Sequence, residues 1–209
     1  MINTKERILT ASKELFNKYG VANTNLRKIS AHIGISQGNL NYHFNKREDI
    51  LESLYFEMVL EFDKRIKNSV NKSLTLKTIY DESKISMRRM FEFRFIWLDI
   101  HHIIRENKSI KAHFLTAQTH RLKGLEVAFD ILKSQNIIRE EQFKNEFVHL
   151  FHRLISYGNF WISSTEMYEP SIKKINIEEK HSIYFEMFFP YLTYVGKAEF
   201  FQLISINEG

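Results

Sequence analysis

The chain has 209 residues, enough to bury a core either as one domain or as a small module joined to a larger one. Apolar residues at 44% and charged residues at 26% exclude the disordered class, and the absence of Cys excludes a disulfide framework or a thiolate metal site and favours the cytosol. The charged start MINTKERILTASKE and the lack of a run near 20 apolar residues speak against export and against a membrane span. Only 2 Pro and 7 Gly punctuate long stretches of helix formers, which predicts an all-α fold of few, long helices. The net charge of +5 is unevenly placed. Residues 1–50 carry Lys5, Arg7, Lys13, Lys18, Arg27, Lys28, Lys46 and Arg47 against Glu6, Glu14, Glu48 and Asp49, so most of the excess lies at one end. A localised basic excess is the footprint of a module that meets phosphates.

In chain order, Ile8, Leu9, Ala11, Leu15, Phe16 and Tyr19 recur at helical spacing from about residue 4, and Gly20 stops that first helix. Thr24 stands as an N-cap before the Leu26, Ile29, Ile33 stripe, and Gly34 closes a second helix of about two turns. The run Gly34-Ile35-Ser36-Gln37-Gly38-Asn39-Leu40-Asn41-Tyr42-His43-Phe44 supplies a turn glycine, a buried Ile35 and a Ser36 cap for a third helix. Two short helices around a glycine turn make a helix-turn-helix. Leu40 and Phe44, at i and i+4, face inward, which turns Gln37, Gly38, Asn39, Asn41 and His43 outward. Gln and Asn pair bidentately with adenine edges, Gly admits close approach, and Tyr or His reach phosphate oxygens. Asn45 followed by Glu48 at N3 marks a fourth helix, with Lys46 at its positive end where a phosphate would sit.

Taken together, Leu15-Phe16, Gly20, Thr24, Ile29 and the run GISQGNLNYHFNKREDIL resemble the tetracycline-repressor (TetR) family over residues 4–51 without a gap. The resemblance implies an N-terminal three-helix helix-turn-helix DNA-binding domain (residues 1–50) and a helical effector-binding and dimerisation domain (51–209). It implies that Gln37, Gly38, Asn39 and Asn41 approach bases, that Thr24, Tyr42, His43 and Lys46 grip the sugar-phosphate backbone, and that Arg27, Lys28 and Ser36 belong to the same DNA-binding set. One position departs from the family pattern: where relatives usually carry a Tyr that touches phosphate, this chain has Asn41, which is shorter and suits a base edge or a water bridge.

Beyond Leu51 the fourth helix runs through Leu54, Met58 and Phe62 to about Asn68. Turn-forming residues then divide the chain into helical stretches near 74–105, 109–134, 140–166 and 177–189, and Pro190 and Gly196 set apart a short tail helix from about 197 to 205. Family members dimerise through their last two long helices, here those near 140–166 and 177–189. Phe147, Leu150, Phe151, Leu154, Ile155, Ile183, Phe185, Met187 and Phe188 cover more than one face there, as a partner contact would require. The family's effector pocket would be lined by Phe93, Trp97 and His101 at i, i+4, i+8 and by Tyr157 and Trp161 at i, i+4, a lining suited to a small apolar or aromatic molecule.

The nine His include His101-His102, His113, His120 and the His149/His152 pair, but no HExxH and no acid-and-His pair at ligand spacing, so neither a metal nor another cofactor is expected. No nucleophile elbow, phosphate loop or Cys nucleophile is present, which argues against an enzyme. The sequence therefore predicts a cytoplasmic homodimeric repressor that binds a palindromic double-stranded DNA operator. A small effector would release it by shifting the fourth helix and so the spacing of the two heads. An activator, an effector-independent regulator, a metal-responsive sensor and a nucleoid-type binder are the alternatives, the last opposed by the Gln/Asn-rich face.

Overall fold

The computed structural model describes residues 3–69, 73–168 and 175–205, with the backbone alone at residues 63 and 65–69. Among the described residues the chain is all-α, in the order α1 (Thr4–Tyr19), α2 (Leu26–Ile33), α3 (Gln37–His43), α4 (Arg47–Ser69), α5 (Leu76–Glu92), α6 (Arg94–Leu98), α7 (Ile100–Glu106), α8 (Lys108–Ser134), α9 (Glu146–Tyr168), α10 (Ile177–Glu186) and α11 (Tyr194–Ser205). A 3-10 turn at Phe189–Tyr191 precedes α11. No described helix is long and apolar enough to cross a membrane. The chain forms two compact units, residues 1–67 with 92–114 and residues 68–91 with 115–209.

In the first unit, α1 starts with a full capping box: the Asn3 side chain accepts from the Glu6 amide (2.9 Å), and the Asn3 amide donates to the Glu6 carboxylate (3.1 Å). Ile8, Ala11, Leu15 and Phe16 are buried as the periodicity requires, while Tyr19 stays exposed beneath the Lys28 ammonium. Gly20 (φ 79°) and Gly34 (φ 68°) end α1 and α2 in backbone conformations that favour glycine.

The expected 74–105 helix is broken twice, at Phe93 and Asp99, into α5, α6 and α7. At the first break an α1 side chain takes over the backbone groups that the helix releases: the Asn17 amide donates to the Glu92 carbonyl (2.8 Å), and its carbonyl accepts from the Phe95 amide (3.2 Å). Phe16 packs on Phe95 at 5.3 Å beside it. Tertiary contacts, invisible to periodicity, thus decide where this helix ends.

The second unit is built on a dense aromatic core. Phe129 meets Phe151 (4.8 Å), Phe147 (5.1 Å) and Phe188 (5.9 Å), and Phe185 stacks flat on Phe200 at 5.2 Å. Buried aromatics of this kind are worth about 3–5 kcal/mol each against Ala. The stretch expected as helix from residue 140 begins instead at Glu146, because residues 139–145 form a loop closed by a bidentate Arg139–Glu146 ion pair (2.9 and 2.7 Å). That pair holds the Glu146 carboxyl down at about 2.

The tail helix starts earlier than expected, at Tyr194, with Gly196 in its first turn rather than outside it. The chain there bridges back onto Ile138 through Leu192, and a Cβ at position 196 would lie 2.2 Å from the Ile137 carbonyl oxygen. Gly196 permits a close approach of two backbones; it does not break the helix.

Candidate nucleic-acid interface and effector site

The helix-turn-helix is α2, the turn Gly34–Ser36 and α3. Asn25, not Thr24, caps α2: its side chain accepts from the Lys28 amide at 2.9 Å. Thr24 is fully enclosed, with its hydroxyl donated to the Gly20 carbonyl (3.0 Å) and its amide to Val21. The expectation that Thr24 caps the helix is therefore corrected, and its engaged donors leave it a packing role in the turn between α1 and α2. Both residues are good cap formers, so the sequence alone did not separate them; the burial of Thr24 does.

At the other end of α2, the Ile35 amide reaches the Ser30 carbonyl (3.1 Å) and the Gly34 amide reaches Ala31 (3.4 Å), closing the turn in the manner of a Schellman cap. Arg7 from α1 donates to the Ile33 carbonyl (2.9 Å), fixing the same end. Ser36 caps α3 as expected, accepting from the Asn39 amide at 3.1 Å. Leu40 and Phe44 anchor α3 in the core, fully and almost fully buried.

This anchoring turns one side of α3 outward. Gln37, Gly38, Asn39, Asn41 and Tyr42 are all exposed, Tyr42 by 86%, and His43 is half-buried edge-on to Tyr42 at 5.2 Å. A Cβ on Gly38 would meet nothing nearer than the Ser36 hydroxyl, 4.0 Å away. Glycine inside a helix is unfavourable by about 1 kcal/mol, and here no internal contact requires it. Ile35 is half-buried and not enclosed as the sequence suggested.

The cations around this face differ in how far they are engaged. Arg27 is exposed, whereas Lys28 reaches the Asn23 carbonyl (3.4 Å) and lies 3.4 Å from the Tyr19 ring centroid. The fourth helix begins one residue later than the Asn45/Glu48 pattern suggested: its first turn is closed by Asp49, whose carboxylate accepts from the Lys46 amide (3.2 Å). The Lys46 ammonium stays two-thirds exposed at that end. Arg47, which sequence reasoning passed over, donates to the Val21 and Ala22 carbonyls (3.0 and 3.3 Å) and so ties the turn between α1 and α2 to the start of α4. Part of the basic excess of the first 50 residues, Arg7 and Arg47 above all, thus acts inside the fold.

The five effector-pocket residues do not gather in one unit. Phe93, Trp97 and His101 belong to the first unit, where Phe93 is enclosed beneath the Lys13 ammonium (4.7 Å) and His101 is exposed. The break at Asp99 removes the i, i+4, i+8 register on which that trio rested. Tyr157 and Trp161 belong to the second unit on α9. The Tyr157 hydroxyl donates to the Lys180 carbonyl (2.9 Å), and burial pushes its pKa up to about 12. Trp161 is 1% exposed, stacked on Phe91 at 6.3 Å. Nearby in sequence, Asn159 is buried and accepts from Arg121 at 2.8 Å, two residues the sequence did not single out because each is polar at a position where a stripe is read as solvated. A groove of about 890 Å³ lies between α5 and α8, with Leu74, Ile85, Val127 and Ile131 among its walls and Lys84 and Arg88 at its polar side; none of the five residues lines it.

On the two helices expected to meet a partner, Phe147, Leu150, Phe151, Leu154, Phe185 and Phe188 are consumed by the unit's own core, and Ile155 and Met187 are half-buried. The large hydrophobic side chains left exposed are Val148, Phe160, Met167 and Tyr168 on α9 and Ile183 on α10. His149 and His152 are exposed too, and among the described residues no three His, Asp or Glu side chains come together as metal ligands.

Comparison with known proteins gives the same picture from a separate direction. The chain matches the model of the bacterial regulatory proteins of the tetR family over residues 8–54 and that of the TetR bacterial transcriptional repressors over residues 57–200. It is 32% identical over 130 residues to the uncharacterized HTH-type transcriptional regulator YerO of Bacillus subtilis, a match covering 58% of this chain and 45% of that protein, less than half its length. Among solved structures, a TetR-family transcriptional regulator from Marinobacter aquaeolei superposes with a TM-score of 0.85 at 21% identity, covering 96% of this chain and 97% of the other. SmeT, the repressor of the Stenotrophomonas maltophilia multidrug efflux pump SmeDEF, superposes with a TM-score of 0.65 at 19% identity over 92% of each chain, and its fold is also known in complex with triclosan. With two family models spanning both parts of the chain and a helix-turn-helix whose α3 presents an exposed polar face, this protein belongs to the TetR family of DNA-binding transcriptional regulators.

Proposed function

We propose that this protein is a transcriptional repressor that binds a palindromic double-stranded operator as a homodimer and leaves it when a small apolar or aromatic effector binds. The observation that carries the reading is the outward face of α3: Gln37, Gly38, Asn39 and Asn41 are exposed, and the glycine has no internal reason to be one. In this reading those four approach base edges, Asn39 and Gln37 by bidentate pairing with adenine, and Gly38 lets the helix settle deep in the major groove. Tyr42, His43 and Lys46 hold the sugar-phosphate backbone, Ser36 fixes the start of α3, and Arg27 and Lys28 flank the site.

Residues 1–50 act as the reader, and 51–209 carry dimerisation and effector binding. Regulators of this family bind operator DNA as dimers, and the exposed Val148, Phe160 and Ile183 support a dimer through the helices near 140–166 and 177–189. The effector class rests on the buried aromatic pair of Trp161 and Phe91 and on the fold shared with SmeT, whose complex with triclosan is known. Effector binding would alter the spacing of the two heads, so that they no longer fit half-sites one helical turn apart. A repressor of this kind is cytoplasmic and has no catalytic step.

Selection of bound sequences from a random DNA pool tests this. A repeated, inverted motif with a centre-to-centre spacing near one turn is the expected result. A pool that stays unenriched after several rounds would show that the outward face of α3 does not read sequence.

A further inference from the structure

We propose that Arg121, held by Asn159, is the polar anchor of the effector site, and that the effector carries a carboxylate on its apolar or aromatic body. This rests on the reading of the chain as an effector-responsive regulator. Arg121 is half-buried over its length, and its charged end is enclosed in the second unit, where burial pulls its pKa below the ordinary guanidinium value. The guanidinium donates to the Asn159 side-chain oxygen at 2.8 Å, and the Asn159 amide is in turn turned to the Gln118 oxygen at 3.3 Å. Among the described residues no carboxylate lies within ion-pair distance of it, in contrast to Lys84 and Arg88, which share Glu178, and Arg139, which holds Glu146 in a fork. Burying a cation is unfavourable unless an anion faces it. Here the fold supplies a neutral amide instead.

Burial pushes the Tyr184 phenol up, so it stays a neutral hydroxyl, with the Arg121 charge acting against that rise. Gly158 makes the room: a Cβ there would lie 3.1 Å from an Arg121 nitrogen and 4.0 Å from the Tyr184 ring. Gly158 and Asn159 are buried side by side on α9. Guanidinium N–H pairs match a carboxylate bidentately, which a neutral amide cannot do.

Two variants of the full-length protein separate this from a structural role. Arg121→Met keeps the volume and removes the charge. Asn159→Asp provides the missing carboxylate from within. Thermal shift and Trp fluorescence are read with benzoate, salicylate and decanoate, with their neutral counterparts benzamide, salicylamide and decanol, and with inorganic phosphate. Expected is binding of at least one carboxylate roughly tenfold or more tighter than its neutral counterpart, as a charge-assisted pair gives. Both variants should lose that difference while melting no lower than the parent protein and remaining dimeric.

Equal binding of acids and neutral compounds, no response to any carboxylate, or a response to phosphate alone would overturn the proposal. So would an Arg121→Met protein that melts well below the parent or falls apart into monomers, since either places the missing anion within the fold or on a second copy. Operator release, followed in parallel by fluorescence anisotropy, keeps the two readings apart. Neutral aromatics that release the operator equally from both proteins defeat the Arg121 site alone. Carboxylate binding without any operator binding defeats the repressor reading and leaves the site standing.

Discussion

The short helix α3 and the long helix α9 handle polar residues in opposite ways. On α3 the polar side chains point outward around a two-residue apolar anchor, Leu40 and Phe44, and the one glycine among them faces open space. On α9 the polar residues that matter point inward: Asn159 and Thr165 are buried, Gly158 gives way to a guanidinium, and Trp161 hides its N–H. The first pattern suits a surface whose partner is large, wet and charged; the second suits a small molecule enclosed by the protein. Whatever α3 and α9 recognise, their chemistry is set by which side of the helix the core takes.

The sharpest way to break the comparison is to damage the second unit's core and ask whether the reader survives. Phe185→Ala removes the ring stacked on Phe200 and packed against Tyr80 at 4.8 Å. It should lower stability by about 3–5 kcal/mol in urea unfolding. On the other side of the comparison, Asn39→Ala removes only an exposed amide, so stability should be nearly unchanged, while operator affinity falls by about 1–3 kcal/mol and scrambled DNA is bound as before.

The Arg139–Glu146 pair tests the buried polar chemistry through pH. Its folded carboxyl titrates at about 2, below the ordinary carboxylate range, so the unfolded chain takes up the proton first. The stabilisation is therefore complete above the unfolded value and fades as pH falls from about 5 toward 2, with a contribution on the order of 2 kcal/mol at neutral pH. Glu146→Gln should lose most of that at pH 7 and converge on the parent protein in acid, as followed by unfolding at several pH values. The smallest effect sharpens the α3 side: Gly38→Ala should stabilise the head by about 0.5–1 kcal/mol through helix propensity alone, yet weaken operator binding, because in the proposed mode the added methyl group meets the DNA.

Legibility in the sequence follows the same division. Residues 4–51 could be read almost residue by residue, because apolar spacing, glycine stops and cap residues all act locally there; the errors were single-residue ones, Thr24 for Asn25, Asn45 for Lys46 and a buried Ile35 that is only half-buried. Beyond them, the presence of helices was readable but their ends were not, and one expected helix is three. Asn17 ends α5 from 75 positions away, the carbonyl of Ile137 dictates Gly196, and Arg139 closes the loop before α9. The proposed effector site suffered most. Its five sequence candidates were chosen by aromatic spacing along supposedly continuous helices, and the structure divides them between two units, whereas Arg121 and Asn159 carry no periodic signal at all because a buried polar residue looks, in sequence, like a solvated one.

The central claim is that the exposed face of α3 reads base sequence. Fluorescence anisotropy at physiological salt, with the DNA upstream of this protein's own gene and a scrambled control, for the parent protein and Asn39→Ala, measures it directly. The account predicts tight binding of the parent protein to the native DNA alone, with the preference collapsing in Asn39→Ala while the salt-sensitive, sequence-independent binding persists. Equal preference in both proteins, or weak binding to both DNAs that salt erases, would contradict it.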